Sequence, residues 1–319
     1  MSAILAGLVP VFAVIFLGYV LRRRRILADA FWPAAERLTF VVFFPALLVV
    51  NTAGARLDPS LVAIAAAVAG SVILVSLACI PLRRPLALGG PALTSLVQSA
   101  IRPNVYVALA IAAAIFGSDG LALISLCVAV GVPTVNVISV LALQRWGTGA
   151  GNGGSLVLAV AGHPLILACA VGLAINVAGF GLPPVIGPLL QILGAASLPL
   201  GLLAVGAGLE PAALRASGAG VVVAAVLKLA VLPLLSLAIA LMLGAGGREA
   251  AVAALYGALP VSASAYVMAR RMGGDGPFLA ASITLTTLAA AVTLPTLLLL
   301  LDLAGLLPSH LAAAGARLL

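Results

Sequence analysis

Gln98-Ser99-Ala100-Ile101-Arg102-Pro103-Asn104-Val105-Tyr106 lies inside an apolar run that extends from about residue 91 to 116. Proline has no amide hydrogen, and its ring clashes with the carbonyl four residues back. A helix through this run must therefore break or kink at Pro103. Arg102 and Asn104 flank the break about eleven residues into the run, near the middle of any membrane it crosses. Non-helical backbone survives at that depth only against other protein or beside a water-filled cavity. The stretch Ala258-Leu259-Pro260-Val261-Ser262-Ala263-Ser264-Ala265-Tyr266 repeats the pattern inside a second apolar run.

The repetition extends along the chain. Pro10 and Gly18 return as Pro164 and Gly172, and Pro45 returns as Pro199, all at an offset of 154. Pro103 returns as Pro260 at 157, and Gly117-Ser118-Asp119-Gly120 returns as Gly273-Gly274-Asp275-Gly276 at 156. Helix breakers repeated at offsets of 154 to 157 inside hydrophobic sequence point to a transporter built from two related halves.

Composition fixes the class. Hydrophobic residues make up 64% of the chain and charged residues 8%, against about 25% charged in soluble domains. A soluble globular protein is excluded, and the absence of alternating ten-residue strands excludes an outer-membrane barrel. Ten apolar spans are expected, at about 3–21, 36–52, 60–82, 91–116, 119–143, 155–179, 185–209, 216–243, 248–271 and 276–302. Each approaches or exceeds the roughly 20 residues needed to cross a bilayer as a helix. The Gly-rich segment 144–154 separates a first five-helix repeat, 1–143, from a second, 155–319. Five spans is an odd number, so the second copy is inverted.

The net charge of +8 is not a nucleic-acid signal, because the basic residues stand at helix ends and not in a patch interleaved with aromatics. No positive region precedes the first span, and no cleavable signal is expected. With the N-terminus outside, Arg22, Arg23, Arg24, Arg25, Arg37, Arg83, Arg84, Arg145, Arg215, Arg270 and Arg271 fall on the cytoplasmic side. Only Arg56, Arg248 and Arg317 fall outside, which is 11 against 3. This asymmetry obeys the positive-inside rule and predicts a protein of the cell (inner) membrane with both termini outward.

Two basic residues remain, Arg102 and Lys228, both near mid-span. A charge at that depth must face protein or water. Arg102 is expected either to clamp a carboxylate or phosphate or to pair with carbonyls exposed at the break. Lys228 is expected to compensate negative half-helix ends or to titrate during transport. Asp119, Asp275, Glu210, Glu249 and Asp302 stand at or near span ends, and no Asp or Glu is expected deep in a span. A carboxylate-based cation site lacks its usual ligands, and an anionic substrate is favoured.

Other candidates read more plainly. Asn136 and Asn176 are expected to be interhelical hydrogen-bond partners, and His163, before Pro164, a cap or interfacial residue rather than a proton relay. Cys79, Cys127 and Cys169 lie in apolar runs and read as small buried residues. The glycines at 149–154 lack the lysine and strand–helix context of a phosphate loop. Paired carboxylates, a metal-binding helix motif and a nucleophile elbow are missing from the sequence, so neither an enzyme nor a bound cofactor or metal is expected. Gly194, Gly201 and Gly206 suggest close helix contact in a homodimer.

The chain resembles the auxin efflux carrier family of membrane transporters, which includes bacterial members and the plant PIN carriers. The resemblance is carried by Leu38-Thr39-Phe40-Val41-Val42-Phe43-Phe44-Pro45-Ala46-Leu47-Leu48, by Arg102-Pro103-Asn104, by Lys228-Leu229-Ala230-Val231-Leu232-Pro233, and by Leu259 to Ser264 with Gly273-Gly274-Asp275. It implies an all-α polytopic fold of ten transmembrane helices in two inverted repeats, with helices 4 and 9 broken and crossed. Helices 1, 2, 6 and 7 would form a scaffold, and 3–5 and 8–10 an elevator-like transport domain. It carries Asn104 over as substrate-binding and implies a small organic anion, auxin-like or a mono- or dicarboxylate. The expected site is Arg102, Pro103, Asn104, Pro260, Val261, Ser262, Ser264 and Tyr266, with Lys228 for coupling or charge compensation. Two alternatives stay open: a sodium- or proton-coupled carrier of the bile-acid or sodium/proton antiporter type, and a membrane sensor with a transporter-like fold.

Overall fold

The computed structural model describes residues 2–55, 60–148, 162–216 and 218–307. The Gly149–Gly154 stretch, the first part of the span expected at 155–179, Arg56 and Arg317 lie outside the described residues. The described chain is helical, with one isolated bridge between extended residues. In chain order the helices are α1 (Ser2–Arg23), α2 (Phe31–Ala53), α3 (Ser60–Cys79), α4 (Gly90–Ile101), α5 (Val105–Trp146) and α6 (Pro164–Ala178). They continue as α7 (Ile186–Ala207), α8 (Ala219–Met242), α9 (Gly247–Ala258), α10 (Ser264–Met272) and α11 (Gly276–Leu303).

Seven helices among the described residues are long and apolar enough to cross a membrane, and α6 is a shorter apolar helix. This is a multi-pass membrane protein. One of the seven, α5, is 42 residues long, about twice what roughly 30 Å of hydrocarbon requires at 1.5 Å per residue. It is two helices joined by a kink at Gly117, where φ is 63° and ψ is −147°. No side chain crowds the position, so glycine is required there for its backbone freedom and not for space.

Prolines shape three other helices. A π turn at Thr39–Phe43 precedes Pro45 in α2, and one at Leu227–Val231 precedes Pro233 in α8. Each proline lacks a donor and pushes away the carbonyl four residues back, and a widened turn absorbs both effects. In α7 the helix bends at Ala196, three residues before Pro199.

The helices pack as two groups. In one, α1 runs along α7, and α2 packs on α6 and α7. In the other, α8 packs on α3 and α9, while α4, α5, α9 and α11 pack around one another. Within the first group Gly18 lies against the Leu203 backbone and Gly206 against that of Ile15. Gly194 meets Leu47, and Gly201 meets the Tyr106 ring. The close approaches expected of Gly194, Gly201 and Gly206 are therefore made inside one chain.

The outward faces are apolar. Phe16, Val62, Val177, Ile192, Leu234 and Val292 are all exposed, as residues facing lipid must be. Cys79, Cys127 and Cys169 are buried and unpaired by disulfides, in keeping with their reading as small apolar residues.

Candidate functional site

The two breaks meet. Arg102 and Asn104 are extended, with φ/ψ of −83°/110° and −84°/102°. Pro103 and Val261 form an antiparallel bridge. The Asn104 amide donates to the Pro260 carbonyl at 2.8 Å, and the Ser262 amide donates to that of Arg102 at 3.4 Å. The Val261 amide donates to Thr286 Oγ1 at 3.0 Å. Each proline strips its own helix of backbone partners, and the opposite break replaces them, which satisfies polar groups that hydrocarbon would leave orphaned.

Asn104 begins the next helix. Its Oδ1 accepts from the Tyr106 amide at 3.2 Å and the Val107 amide at 3.4 Å, the geometry of a helix N-cap. Its side chain is 2% exposed, and it is not among the groups lining the adjacent cavity.

Arg102 points into that cavity. It is 7% exposed. One terminal nitrogen donates to Ser264 Oγ at 3.1 Å; the other reaches Asn136 Oδ1 at 2.7 Å and Met268 Sδ at 3.4 Å. Every one of these partners is neutral. Its Nε is buried without a partner. Ser262 and Ser264 share a hydrogen bond of 3.0 Å. A buried guanidinium held by neutral groups keeps one donor to spare.

The cavity measures about 80 Å³ and opens between the packed groups. Arg102, Pro103, Ser262 and Ser264 line it on the side of the breaks, with Asn136 from α5. Glu36, Phe40 and Phe44 from α2 face them, with His163 and Leu165 at the start of α6. Phe44 stacks edge-on to Tyr106 with centroids 4.9 Å apart, and Phe40 to His163 at 5.3 Å. A second cavity of about 610 Å³ lies between the same groups, at the other end of α2 and along the first half of α6. Thr52, Gly54 and Ala55 line it with Cys169 and Leu173, opposite Asp119, Arg248 and Glu249.

The structure thus gathers Arg102, Pro103, Ser262 and Ser264 around one space. Pro260 and Val261 contribute backbone to its frame, as Asn104 does. Tyr266 is 38% exposed and lies off the cavity. Lys228 also lies off it. It is fully buried in the π turn of α8, and its Nζ donates to the Gly257 carbonyl at 3.0 Å, next to the last residue of α9. A cation there faces the negative end of that half-helix.

Three cavity residues went unread in the sequence as site groups. Asn136 was expected as an interhelical partner, and its partner is Arg102. His163 stands at the N-cap of α6 but makes no side-chain cap bond; it faces the cavity instead. Glu36 was not singled out, although its place near a span end agrees with the expectation that no carboxylate lies deep in a span. It stands inside α2, on the cavity wall. Asn176 behaves as expected of an interhelical amide, its Nδ2 donating to the carbonyls of Thr52, Ala53 and Ala55 at 3.3, 2.8 and 2.7 Å.

A comparison with curated proteins finds no match. Residues 154–298 match the family model described as membrane transport protein. That stretch holds the second break, Lys228 and the carbonyl Lys228 binds, and over it the chain is similar to the auxin efflux carrier family of membrane transporters.

Proposed function

We propose that this membrane transporter carries an organic carboxylate across the cell membrane by secondary active transport, with Arg102 as the anion clamp. The observation that carries this reading is the buried Arg102 guanidinium, which lines the cavity with neutral partners only and a free Nε. Ser262, Ser264 and Asn136 supply neutral hydrogen bonds around it. Phe40, Phe44 and Tyr106 supply apolar wall for the body of the substrate, which suits an auxin-like acid or a mono- or dicarboxylate.

The proposed architecture is ten spans in two inverted repeats, with spans four and nine broken and crossed at Pro103 and Pro260. The repeated proline register and the pairing of the two breaks support it. In this reading α1, α2, α6 and α7 form the scaffold, and the remaining helices form a domain that moves against it like an elevator. Two cavities along one seam, at opposite ends of α2, are what alternating access between two faces would leave. Lys228 acts as fixed compensation for the end of α9. A homodimer would form through lipid-facing surfaces of the scaffold.

The test is flux in proteoliposomes. Arg102→Ala is expected to abolish carboxylate movement while the protein purifies folded. Unchanged flux would remove Arg102 from the site. A sodium-coupled carrier is the competing reading, and Glu36 on the cavity wall favours it, since it supplies a carboxylate where none was expected. A strict sodium requirement would select it.

A further inference from the structure

We infer that Glu36 takes up a proton when the anion binds, so that the protein moves a carboxylate and a proton together; this rests on the anion reading of Arg102 given above. Three ionisable groups from different elements face one small space: Glu36 of α2, His163 at the start of α6, and Arg102 in the break. A space of about 80 Å³ holds only a few waters, so their charges act on one another with little screening.

The balance of charge decides which group takes the proton. Arg102 keeps its proton under all working conditions. Ionised Glu36 and neutral His163 leave the cavity neutral before substrate arrives. A carboxylate settling on Arg102 then adds a second negative charge beside that of Glu36. Like charges in a poorly solvated site disfavour each other, and protonating one carboxyl removes the conflict. The transfer balances for a monocarboxylate: one proton from water goes onto a Glu36 carboxylate oxygen as one singly charged carboxylate leaves water, and the loaded cavity is again neutral. A dicarboxylate must bring a second proton of its own to do the same. A neutral load is also the one that passes an apolar seam at least cost.

Nothing nearby claims Glu36 instead. The ion pairs among the described residues are Arg22–Asp29 and Arg248–Asp119, and neither includes Glu36. Its neighbour Arg37 is exposed. The part of α7 packed on the first half of α2, Ser197–Ala207, carries no ionisable side chain. Tyr106 is the remaining titratable group on the wall. His163 Nδ1 is buried without a partner and offers a hydrogen bond to the incoming oxygen. His163 therefore positions the substrate and Glu36 carries the proton.

The experiment measures binding of succinate, indole-3-acetate and glycine to the purified full-length protein by ligand-dependent melting, from about pH 8 to about pH 5. Wild type is expected to bind one of the two acids about tenfold more tightly for each unit fall in pH while Glu36 is ionised. Glu36→Gln flattens that dependence, Glu36→Asp keeps it, His163→Gln keeps it, and Arg102→Ala binds neither acid at any pH. The acid that binds acidifies the lumen of wild-type proteoliposomes as it enters and does not do so with Glu36→Gln. A wild-type slope in Glu36→Gln, or a slope lost only in His163→Gln, overturns the assignment while leaving the anion site standing. Neither acid binding to wild type, or binding retained in Arg102→Ala, defeats the anion reading and this one with it. Glycine binding that weakens as pH falls and requires Glu36 overturns it in favour of a zwitterionic substrate.

Discussion

Arg102 and Glu36 show what a single residue discloses in sequence and what it hides. Arg102 was legible because a guanidinium at the centre of an apolar run has no cheap explanation. Glu36 was not, because it stood at the first residue expected of its span, where a carboxylate at the membrane surface needs no account. The helix begins earlier, at Phe31, and this draws Glu36 inward to the cavity. Asn104 was legible as important, but its detailed work as a cap depends on backbone angles that sequence does not print. Two expectations follow at this scale. Arg102→Ala removes the charge-assisted hydrogen bonds that would hold a carboxylate, so carboxylate binding should fall below detection. Arg102→Lys should restore part of it, since an ammonium keeps the charge and loses the planar fork; titration by ligand-dependent melting reads both. Asn104→Ala should lower stability by about 1 kcal/mol through loss of the cap, and Asn104→Ser should recover most of it. A melting temperature for Asn104→Ala equal to wild type would show that the cap contributes nothing.

At the scale of the element, the proline positions were legible and the turns they produce were not. Pro45 and Pro233 each follow a π turn, a shape that depends on how the neighbouring helix accommodates a displaced carbonyl. The turn in α8 sets Lys228 against the end of α9. Replacing it by methionine leaves the Gly257 carbonyl without its donor, a loss of about 1–3 kcal/mol. Removing a buried charge returns a comparable amount. Lys228→Met is therefore expected to melt near wild type while its carboxylate flux collapses, because the compensating charge has gone from beside the break. A protein that unfolds and one that folds but does not transport are separated by running both measurements. Gly117 shows the same dependence on backbone. Its sequence neighbourhood announces a turn, and only φ of 63° shows that glycine is required. Gly117→Ala should destabilise by roughly 1–3 kcal/mol, seen as a lower melting temperature in detergent.

For the whole molecule, membrane class was legible from composition and run length; against the ten spans expected, seven helices among the described residues are long and apolar enough to cross a membrane. The seam between the two packed groups was not legible, because it is made of contacts between residues far apart in the chain, such as Phe44 with Tyr106. The same limit applies to the cavities, whose walls come from α2, α6 and both breaks. Orientation is the global property that sequence argues most strongly, through 11 basic residues on one side against 3 on the other. It can be tested without disturbing the core. The native cysteines are buried, so a membrane-impermeant maleimide should meet little background. Ser118 and Arg84 are both exposed at helix ends, and the inverted ten-span reading puts them on opposite faces. Ser118→Cys should label in intact cells, and Arg84→Cys only after the membrane is permeabilised. Labelling of both from outside would break the odd count of spans between them, and with it the inversion of the second repeat. The reverse pattern would keep the inversion and turn the protein over, so that the cavity bearing Glu36 and Arg102 faces outward and a proton gradient directed inward would drive uptake through it.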